Sequence, residues 1–165
     1  MEQTPLGRVR LSGIAYRKIE ELEIIEKAGN HGKCLLLLSV EKSFSEQDVL
    51  RLEQQSITVS ADDTVIFNGV IVTCQLATQA EEKRLHLVLY SSSYLLDIGK
   101  KSRTFQSESK TLADMANSIA QPYQAEVLVQ QDETVSRLVY QEEQTDWEFL
   151  CRLAESTGRY TFADS

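Results

Sequence analysis

Hydrophobic and polar positions along the first hundred residues have mainly the patterns of β-strands. Strand candidates are Ile19–Lys27 and Lys33–Lys42, and Ile57–Ala61 alternates apolar and polar residues as a half-buried strand does. The turn AGNHG between the first two predicts a hairpin. SEQDVLRL, at Ser45–Leu52, has a short helical pattern instead, with a serine at its N-cap. The sequence therefore predicts a mainly β first half with one short helix.

Two turns compete after the third strand. Asn68-Gly69 is a strong hairpin dipeptide, but a turn there would leave only a very short strand before it. We therefore predict the turn at Asp62-Asp63 and one long strand over Thr64–Ala77. Gly69 would then be a bulge or bend within that strand, as in curved sheets.

A polar turn leads to a further strand, Arg84–Ser91, whose two faces differ in composition. The residues of one face are Leu85, Leu87 and Leu89, and those of the other are His86, Val88 and Tyr90. Composition changes near residue 100. Ser92–Ile98 predicts one short helix, a basic patch follows at Lys100, Lys101 and Arg103, and Thr104–Ser107 is predicted to be extended.

A helical pattern begins at Thr111, which has Asp114 at capping-box spacing. The predicted apolar face consists of Leu112, Met115, Ala116 and Ile119. Pro122 ends this helix. Strands are predicted next, over Ala125–Gln130 and Ser136–Gln141.

The most strongly patterned segment is TDWEFLCRLAESTGRYTF, at Thr145–Phe162. Thr145 and Glu148 predict a capping box, Glu148 and Arg152 an i,i+4 ion pair, and Gly158 the C′ position. Tyr160 and Phe162 predict a closing strand. The predicted apolar face of the helix consists of Trp147, Leu150, Cys151 and Ala154, widened by Leu153.

The net charge of −8 and the pI near 4.8 argue against nucleic acid as a partner, because phosphate binding needs clustered Lys and Arg. The longest apolar run, Cys34–Leu38, is too short to span a bilayer, so we expect no membrane anchor. The three cysteines, Cys34, Cys74 and Cys151, lie in separate apolar segments. We expect free, buried thiols and synthesis in the cytoplasm.

Candidate catalytic and metal-binding residues have simpler explanations. His31 lies in a turn and His86 on a strand face, and neither has a carboxylate or cysteine at ligand spacing. The serines of SSSYLL lack a nucleophile elbow. The basic patch at residues 100–103 is expected to be solvated or to meet an acidic partner. Trp147 lies at helical spacing with leucines, which is typical of a core position. We therefore expect no enzyme activity, no cofactor and no metal.

A family resemblance rests on four segments in order: FNGVIVT, RLHLVLYSSSYLLD, SRTFQSESKTLADMA and VYQEEQTDWEFLCRLAESTGRYTF. Together they resemble the N-terminal hub region of contractile injection machines, the family of the VgrG spike proteins and the late control protein D of phages. The last segment is similar to the family pattern Y-x-E-(S/T)-D-x-x-F-(I/L)-x-R-L-x-E-x-x-G-x-Y-x-F. This chain has additional residues between the matching Tyr140 and Thr145.

The residues that match this pattern build a fold and no active site in the family. We expect structural roles for Gly69, Phe105, Thr145, Trp147, Phe149, Leu150, Arg152, Leu153, Gly158, Tyr160 and Phe162. The fold that the resemblance implies is α+β, mainly β, with a β-barrel of the phage baseplate hub type and a small α/β insertion. The expected domains are an incomplete barrel at 1–100 and the insertion at 101–165.

The resemblance also implies a function and partners. The chain would be a structural hub or spike component that adapts a trimeric spike to a six-fold tube. Its partners would be the tube protein, other baseplate components and two further copies in the full-length protein, all exported as one particle. Family members continue beyond this region, so we expect a fragment or a split hub domain. The alternative is a small β-rich module that binds protein or carbohydrate.

Overall fold

The computed structural model describes residues 8–53, 55–105, 110–135 and 138–163. They divide into two compact units. The first contains the chain up to Ser92, together with Phe162 and Ala163, and the second contains Ser93–Thr161. The chain is mainly β, as predicted, with a sheet that curls into a half-barrel. Within the described ranges, no helix is long and apolar enough to cross a membrane.

The first unit is a six-stranded antiparallel sheet with the strand order β1-β4-β5-β6-β3-β2. Its elements are β1 (Val9–Ser12), β2 (Lys18–Ile25), β3 (Lys33–Val40), α1 (Glu46–Leu52), β4 (Ser56–Ala61), β5 (Thr64–Gln79) and β6 (Glu82–Ser91). Each strand predicted in this part is present, and α1 begins after the predicted N-cap, Ser45. Strand β1 was missed because four residues are too few to show an alternation.

The turn between β4 and β5 lies at Asp62-Asp63, as predicted, because Ala61 pairs with Thr64. Strand β5 then runs without interruption past Asn68-Gly69 to Gln79. Of the two alternatives predicted for Gly69, the bulge is wrong in position. In both irregular ladders the extra residue is in β5: Ile66 lies between the partners of Val59 and Ser60, and Val72 lies between Ile71 and Thr73.

Gly69 instead allows the backbone of β6 to lie close to β5. A Cβ atom at this position would lie 2.4 Å from the carbonyl oxygen of Tyr90 and 2.6 Å from Cε1 of Phe67. Both distances are far below van der Waals contact, so only glycine fits without a shift of its neighbours. The space that a side chain would need is filled by β6 and by a fully buried phenylalanine ring.

The core of the first unit is a row of apolar cross-strand pairs between β3 and β6. The pairs are Cys34–Leu89, Leu36–Leu87 and Leu38–Leu85, and each of these six residues is at most 3% exposed. Burial of one such leucine stabilises the fold by roughly 1.5–3 kcal/mol. The predicted leucine face of β6 is therefore the centre of this unit.

The three thiols are free, as predicted, but only Cys34 is buried, and the expected full burial of Cys74 and Cys151 is wrong because both are half-buried. Burial raises the pKa of Cys34 to about 12, and burial together with the nearby charge of Glu53 raises the pKa of Cys74 to about 11. Burial also raises the pKa of Cys151. All three cysteines are therefore protonated and weakly nucleophilic at neutral pH.

The second unit contains a two-stranded antiparallel sheet and two helices. Its elements are a 3₁₀ turn (Ser92–Asp97), β7 (Lys101–Phe105), α2 (Leu112–Ala120), a second 3₁₀ turn (Gln121–Tyr123), β8 (Val139–Gln144) and α3 (Asp146–Glu155). The capping box of α2 forms as predicted, with the Asp114 amide donating to Thr111 Oγ1 at 3.1 Å. All four residues of its predicted apolar face are buried.

Three strand predictions in this unit need correction. Residues 125–130 and 159–163 have no ladder partner among the described residues and are not assigned as strands. The strand predicted over Ser136–Gln141 falls partly on residues 136–137, outside the described residues, and the observed strand begins at Val139. Residues 106–107 of the predicted extended segment also lie outside the described residues. Alternation specifies an extended backbone, but a strand also needs a neighbour to pair with.

Candidate functional site

The second unit contains a carboxylate that is completely buried. Asp146, the first residue of α3, has no exposed surface. Because a buried charge needs compensating partners, its surroundings define the polar centre of this unit. Four side chains donate to it: Lys101 Nζ at 2.7 Å, Tyr123 Oη at 2.7 Å, Gln141 Nε2 at 2.9 Å, and Arg103 Nη2. We call these five residues the Asp146 cluster.

The two cations of the cluster come from one face of β7. Lys101 and Arg103 are two positions apart on a strand, so their side chains share a face. Arg103 is paired across the ladder with Gln141 of β8, and Arg103 Nε donates to Gln141 Oε1 at 2.8 Å. The same glutamine donates to Asp146 through Nε2. Strand register therefore sets the geometry of the charged groups.

Tyr123 is the last residue of the 3₁₀ turn that contains Pro122. Its hydroxyl donates to Asp146 Oδ2 and accepts a hydrogen bond of 2.7 Å from Lys101 Nζ. The ammonium group of Lys101 also lies 5.0 Å from the centroid of the tyrosine ring, within the range of a cation–π contact. The cluster therefore joins four elements of the second unit at one carboxylate.

The electrostatics of the cluster favour the charged forms. Burial alone would raise the pKa of Asp146, but the hydrogen bonds from Lys101, Gln141 and Tyr123 and the charge of Arg103 outweigh it, so the pKa lies below its usual range. The hydrogen bonds from Lys101 to Asp146 and Tyr123 raise the pKa of the lysine. Asp146 and Lys101 are consequently ionised at neutral pH.

This arrangement suits a structural role better than a chemical one. A carboxylate with a lowered pKa and four donors is a poor proton acceptor, and a lysine with a raised pKa is a poor nucleophile because it stays protonated. Among the described residues, no group of three or more His, Cys, Asp or Glu side chains is placed to hold a metal ion. The cluster fixes the start of α3 against β7, β8 and the turn at Tyr123.

The helix that carries Asp146 begins with the predicted capping box. The amide of Glu148 donates to Thr145 Oγ1 at 3.1 Å, and the amide of Thr145 donates to Glu148 Oε2 at 2.9 Å. The Thr145 hydroxyl also donates to Asp97 Oδ1 at 2.5 Å. The predicted ion pair of Glu148 with Arg152 is absent, because the carboxylate is used in the cap.

The buried face of α3 is rotated about the helix axis relative to the predicted face. Trp147, Leu150 and Leu153 are buried, as the pattern indicated, but Cys151 and Ala154 are only half-buried. Phe149 is completely buried instead, and its ring stacks on Phe105 of β7 at a centroid distance of 5.4 Å. Phe105 follows Lys101 and Arg103 at every second position along β7, so this stack continues the Asp146 cluster with an apolar contact on the same face of the strand.

Arg152 links the helix to the strand before it. Its guanidinium donates to Gln144 Oε1 at 3.0 Å and to the carbonyl oxygen of Tyr140, and it lies 5.0 Å from the Phe149 ring. The planar group thus covers the edge of the aromatic pair while it satisfies backbone and side-chain acceptors of β8.

The end of α3 is a glycine cap followed by exposed aromatics. Gly158 has a φ of +71°, and its amide donates to the carbonyl of Glu155 at 3.0 Å. This left-handed position is the C′ position that the sequence indicated. Tyr160 and Phe162, which were expected in a strand, are 78% and 68% exposed.

Sequence analysis missed most of the cluster. The sequence indicates that the patch with Lys101 and Arg103 is either solvated or meets an acidic partner, and it indicates no role for Tyr123 and Gln141. The only local indications were the spacing of the two cations, which places both on one strand face, and an acidic residue at a helix start, which the helix dipole favours.

The comparisons with known proteins concern the fold. The profile of the Alg8 N-terminal domain family matches residues 54–165, which is more than half of the chain. The matched range includes β5, β6 and the whole second unit. No curated protein matches the chain significantly.

Several solved structures have a similar fold at low sequence identity. A tail protein from Neisseria meningitidis MC58 has a TM-score of 0.70 and 19% identity over 91% of this chain and 44% of its own. The 43 kDa tail protein of prophage MuSo2 from Shewanella oneidensis has a TM-score of 0.73 and 15% identity over 94% and 52%.

The third similar structure is the E. coli c3393 protein, a component of the type VI secretion system with structural similarity to the T4 bacteriophage tail proteins gp27 and gp5. It has a TM-score of 0.64 and 14% identity over 95% of this chain and 49% of its own. The present chain thus spans about half the length of the structures it matches.

Proposed function

This chain belongs to the Alg8 N-terminal domain family, and on that premise we propose that it is a structural component of a contractile injection system. In this proposal it is an N-terminal hub domain of the VgrG and late control protein D kind. The observation that carries the proposal is the shared fold, which extends over at least 91% of the chain in two tail proteins and one secretion component.

The division of the chain fits this role. Residues 1–100 would form one barrel, incomplete by itself, and residues 101–165 would form its α/β insertion. A trimer in which each full-length polypeptide supplies two such barrels presents six similar surfaces to a six-fold tube. A chain that spans about half of the similar structures supplies one barrel of the two.

The site chemistry supports a structural role. In the Asp146 cluster every charged group is matched to another group of the protein. The proposed partners are therefore the tube protein, other baseplate or spike components and two further copies of the full-length protein. In this proposal the protein has no enzyme activity, cofactor, nucleic-acid partner or membrane anchor, and it leaves the cell as part of the particle.

The decisive experiment asks whether the full-length protein trimerises and binds the tube. Analytical ultracentrifugation should give three copies per complex, and mixing with the tube protein of the same genome should give a larger species. The variant Glu142→Ala, which changes an exposed residue of β8, serves as a control that should assemble normally. A full-length protein that stays monomeric and never associates with the tube protein would contradict the proposal.

A further inference from the structure

The segment of residues 125–130 has the side-chain pattern of a strand, but no strand of the described residues lies beside it. Burial alternates strictly: Ala125, Val127 and Val129 are half-buried, and Glu126, Leu128 and Gln130 are exposed. Residues with left-handed backbone conformations bound the segment, Gln124 with a φ of +57° and Gln131 with a φ of +55°. The alternation shows an extended backbone between two sharp turns.

A side chain of α2 occupies one edge of this segment. The amide of Val127 donates to Asn117 Oδ1 at 2.8 Å, and Asn117 Nδ2 donates to the carbonyl of Val127 at 2.9 Å. A pair of hydrogen bonds to one residue is what a neighbouring antiparallel strand would supply. The asparagine therefore takes the place of a strand on that side.

The opposite edge is open. In an extended chain the backbone groups of successive residues point to opposite sides, so those of Glu126 and Leu128 point away from Asn117. Within the described part of the chain, no hydrogen bond reaches the backbone of either residue. The next carbonyl on this edge, that of Gln130, accepts a hydrogen bond of 3.1 Å from Arg159 Nε, which marks the end of the open edge.

The side chains along this edge indicate what would cover it. Leu128 is 85% exposed, more than any other large apolar side chain among the described residues. Glu126, two residues before it, is on the same face of the extended segment and is also exposed. The segment contains no lysine or proline, the residues that commonly protect open strand edges.

We propose that residues 125–130 bind an extended segment of another protein, which adds as a strand and carries a lysine or arginine two residues from an apolar side chain. The outward backbone donors and acceptors of Glu126 and Leu128 match those of an added strand. The exposed leucine matches an apolar neighbour on that strand, and the exposed carboxylate matches a cation. This inference goes beyond the proposed function, which assigns no surface in residues 101–165 to a partner.

A synthetic peptide tests the chemistry directly. The probe is the acetylated and amidated heptapeptide Thr-Lys-Thr-Val-Thr-Lys-Thr, whose two lysines flank the valine symmetrically, so it fits in either strand direction. In an NMR titration of the chain, the amide signals of Glu126 and Leu128 should shift, and their hydrogen exchange should slow. A matched peptide with proline in place of valine should give neither effect, and one with glutamates in place of lysines should bind about tenfold more weakly.

Two variants separate strand addition from simple apolar contact. Leu128→Pro removes an N–H group that has no partner among the described residues, so the melting temperature should stay the same while peptide binding is lost. Leu128→Thr keeps the N–H group and should retain weaker binding. The proposal is overturned if the amides of Glu126 and Leu128 are already as protected as that of Val127 in the isolated chain. It is also overturned if neither amide responds to the probe, or if Leu128→Pro binds as well as the unchanged chain.

Discussion

The two units of this chain are stabilised by different means. In the first, three apolar pairs between β3 and β6 exclude water from a broad sheet face. In the second, a two-stranded sheet and two helices are organised around one buried carboxylate and its four donors. The first unit gains stability from buried apolar surface. The second depends on a hydrogen-bonded network in which each side chain holds its neighbours in position.

The difference follows from the lengths of the elements. Strand β5 has 16 residues and β6 has 10, long enough to offer continuous apolar faces. Strands β7 and β8 have five and six residues, and a two-stranded sheet alone is at best marginally stable in water. A hydrogen-bonded ion cluster specifies one arrangement where apolar packing alone would allow several, because its bonds have fixed directions.

The largest expected effect is the loss of the buried carboxylate. Asp146→Ala leaves Lys101 and Arg103 without their counterion and should destabilise the protein by about 3–5 kcal/mol, the range for breaking a buried ion pair. Trp147, the single tryptophan of the chain, is the next residue and reports on α3 through its fluorescence during urea unfolding. Glu142→Ala should change the unfolding midpoint little. An unchanged midpoint for Asp146→Ala would show that the cluster does not stabilise the second unit.

Removal of a buried side chain from the first unit should also destabilise the protein, but by an amount that does not depend on pH. Leu87→Ala opens a cavity between β3 and β6 and should cost about 2–5 kcal/mol. Hydrogen exchange of the β3 and β6 amides measures the loss of stability. This loss should be the same at pH 3 and pH 7 because the substitution removes no charge. Val88→Ala, on the other face of the strand, is the matched control with a smaller effect. A loss that depends strongly on pH would contradict a purely apolar origin.

Acid should weaken the second unit through its buried carboxylate. The pKa of Asp146 is lower in the folded than in the unfolded protein, so its contribution to stability is complete above the unfolded value and disappears as the pH falls through the folded value. Unfolding followed by Trp147 fluorescence should therefore become easier below about pH 4. The pH dependence should shrink in Asp146→Ala, and an equal dependence in both proteins would assign it to other groups.

Gly69 tests close packing in the first unit. Gly69→Ala places a Cβ atom 2.4 Å from the Tyr90 carbonyl oxygen, so β6 must shift, at an expected cost of about 1–3 kcal/mol. Thr73→Ala, at an exposed position of the same strand, is the control. Thermal unfolding followed by circular dichroism measures both variants. Equal stability of Gly69→Ala and the unchanged chain would mean that the strands separate at little cost.

The smallest effect should be a gain in stability. Ala80 and Glu81 form the two-residue turn between β5 and β6 with φ values of +48° and +66°, a conformation that Asn-Gly adopts with less strain. Replacing the pair by Asn-Gly should stabilise the hairpin by about 0.5–1 kcal/mol, as measured by chemical denaturation. Ala80→Gly alone keeps the exposed ion pair between Lys42 and Glu81 and shows whether the turn itself is responsible. A loss of stability in both variants would contradict the expectation.

Local features were the most predictable from sequence. The capping boxes at Thr111 and Thr145 involve residues three positions apart, and the leucine face of β6 follows from a period of two. The long strand β5 was predictable because a turn at Asn68-Gly69 would leave too little chain for a strand. Each of these depends only on neighbours along the sequence.

Nonlocal features were not predictable in the same way. The Asp146 cluster needs the register of β7 on β8 and the position of Tyr123, and neither is encoded in a short pattern. The incorrect strands at residues 125–130 and 159–163 fail for a related reason. Alternation of side chains along a segment indicates only that its own backbone is extended. Whether that segment belongs to a ladder depends on a second segment elsewhere in the chain.

Strand β5 has a mechanical consequence. Its first part pairs with β4 up to Val70, and its second part pairs with β6 from Gly69 onward, so one strand connects two ladders in series. Tension along β5 acts on each ladder parallel to the strands, and many hydrogen bonds must then break together. Tension across a hairpin breaks them one at a time. The sheet should therefore resist stretching along β5 far better than peeling from its edge, which is a useful property in any part that transmits a thrust.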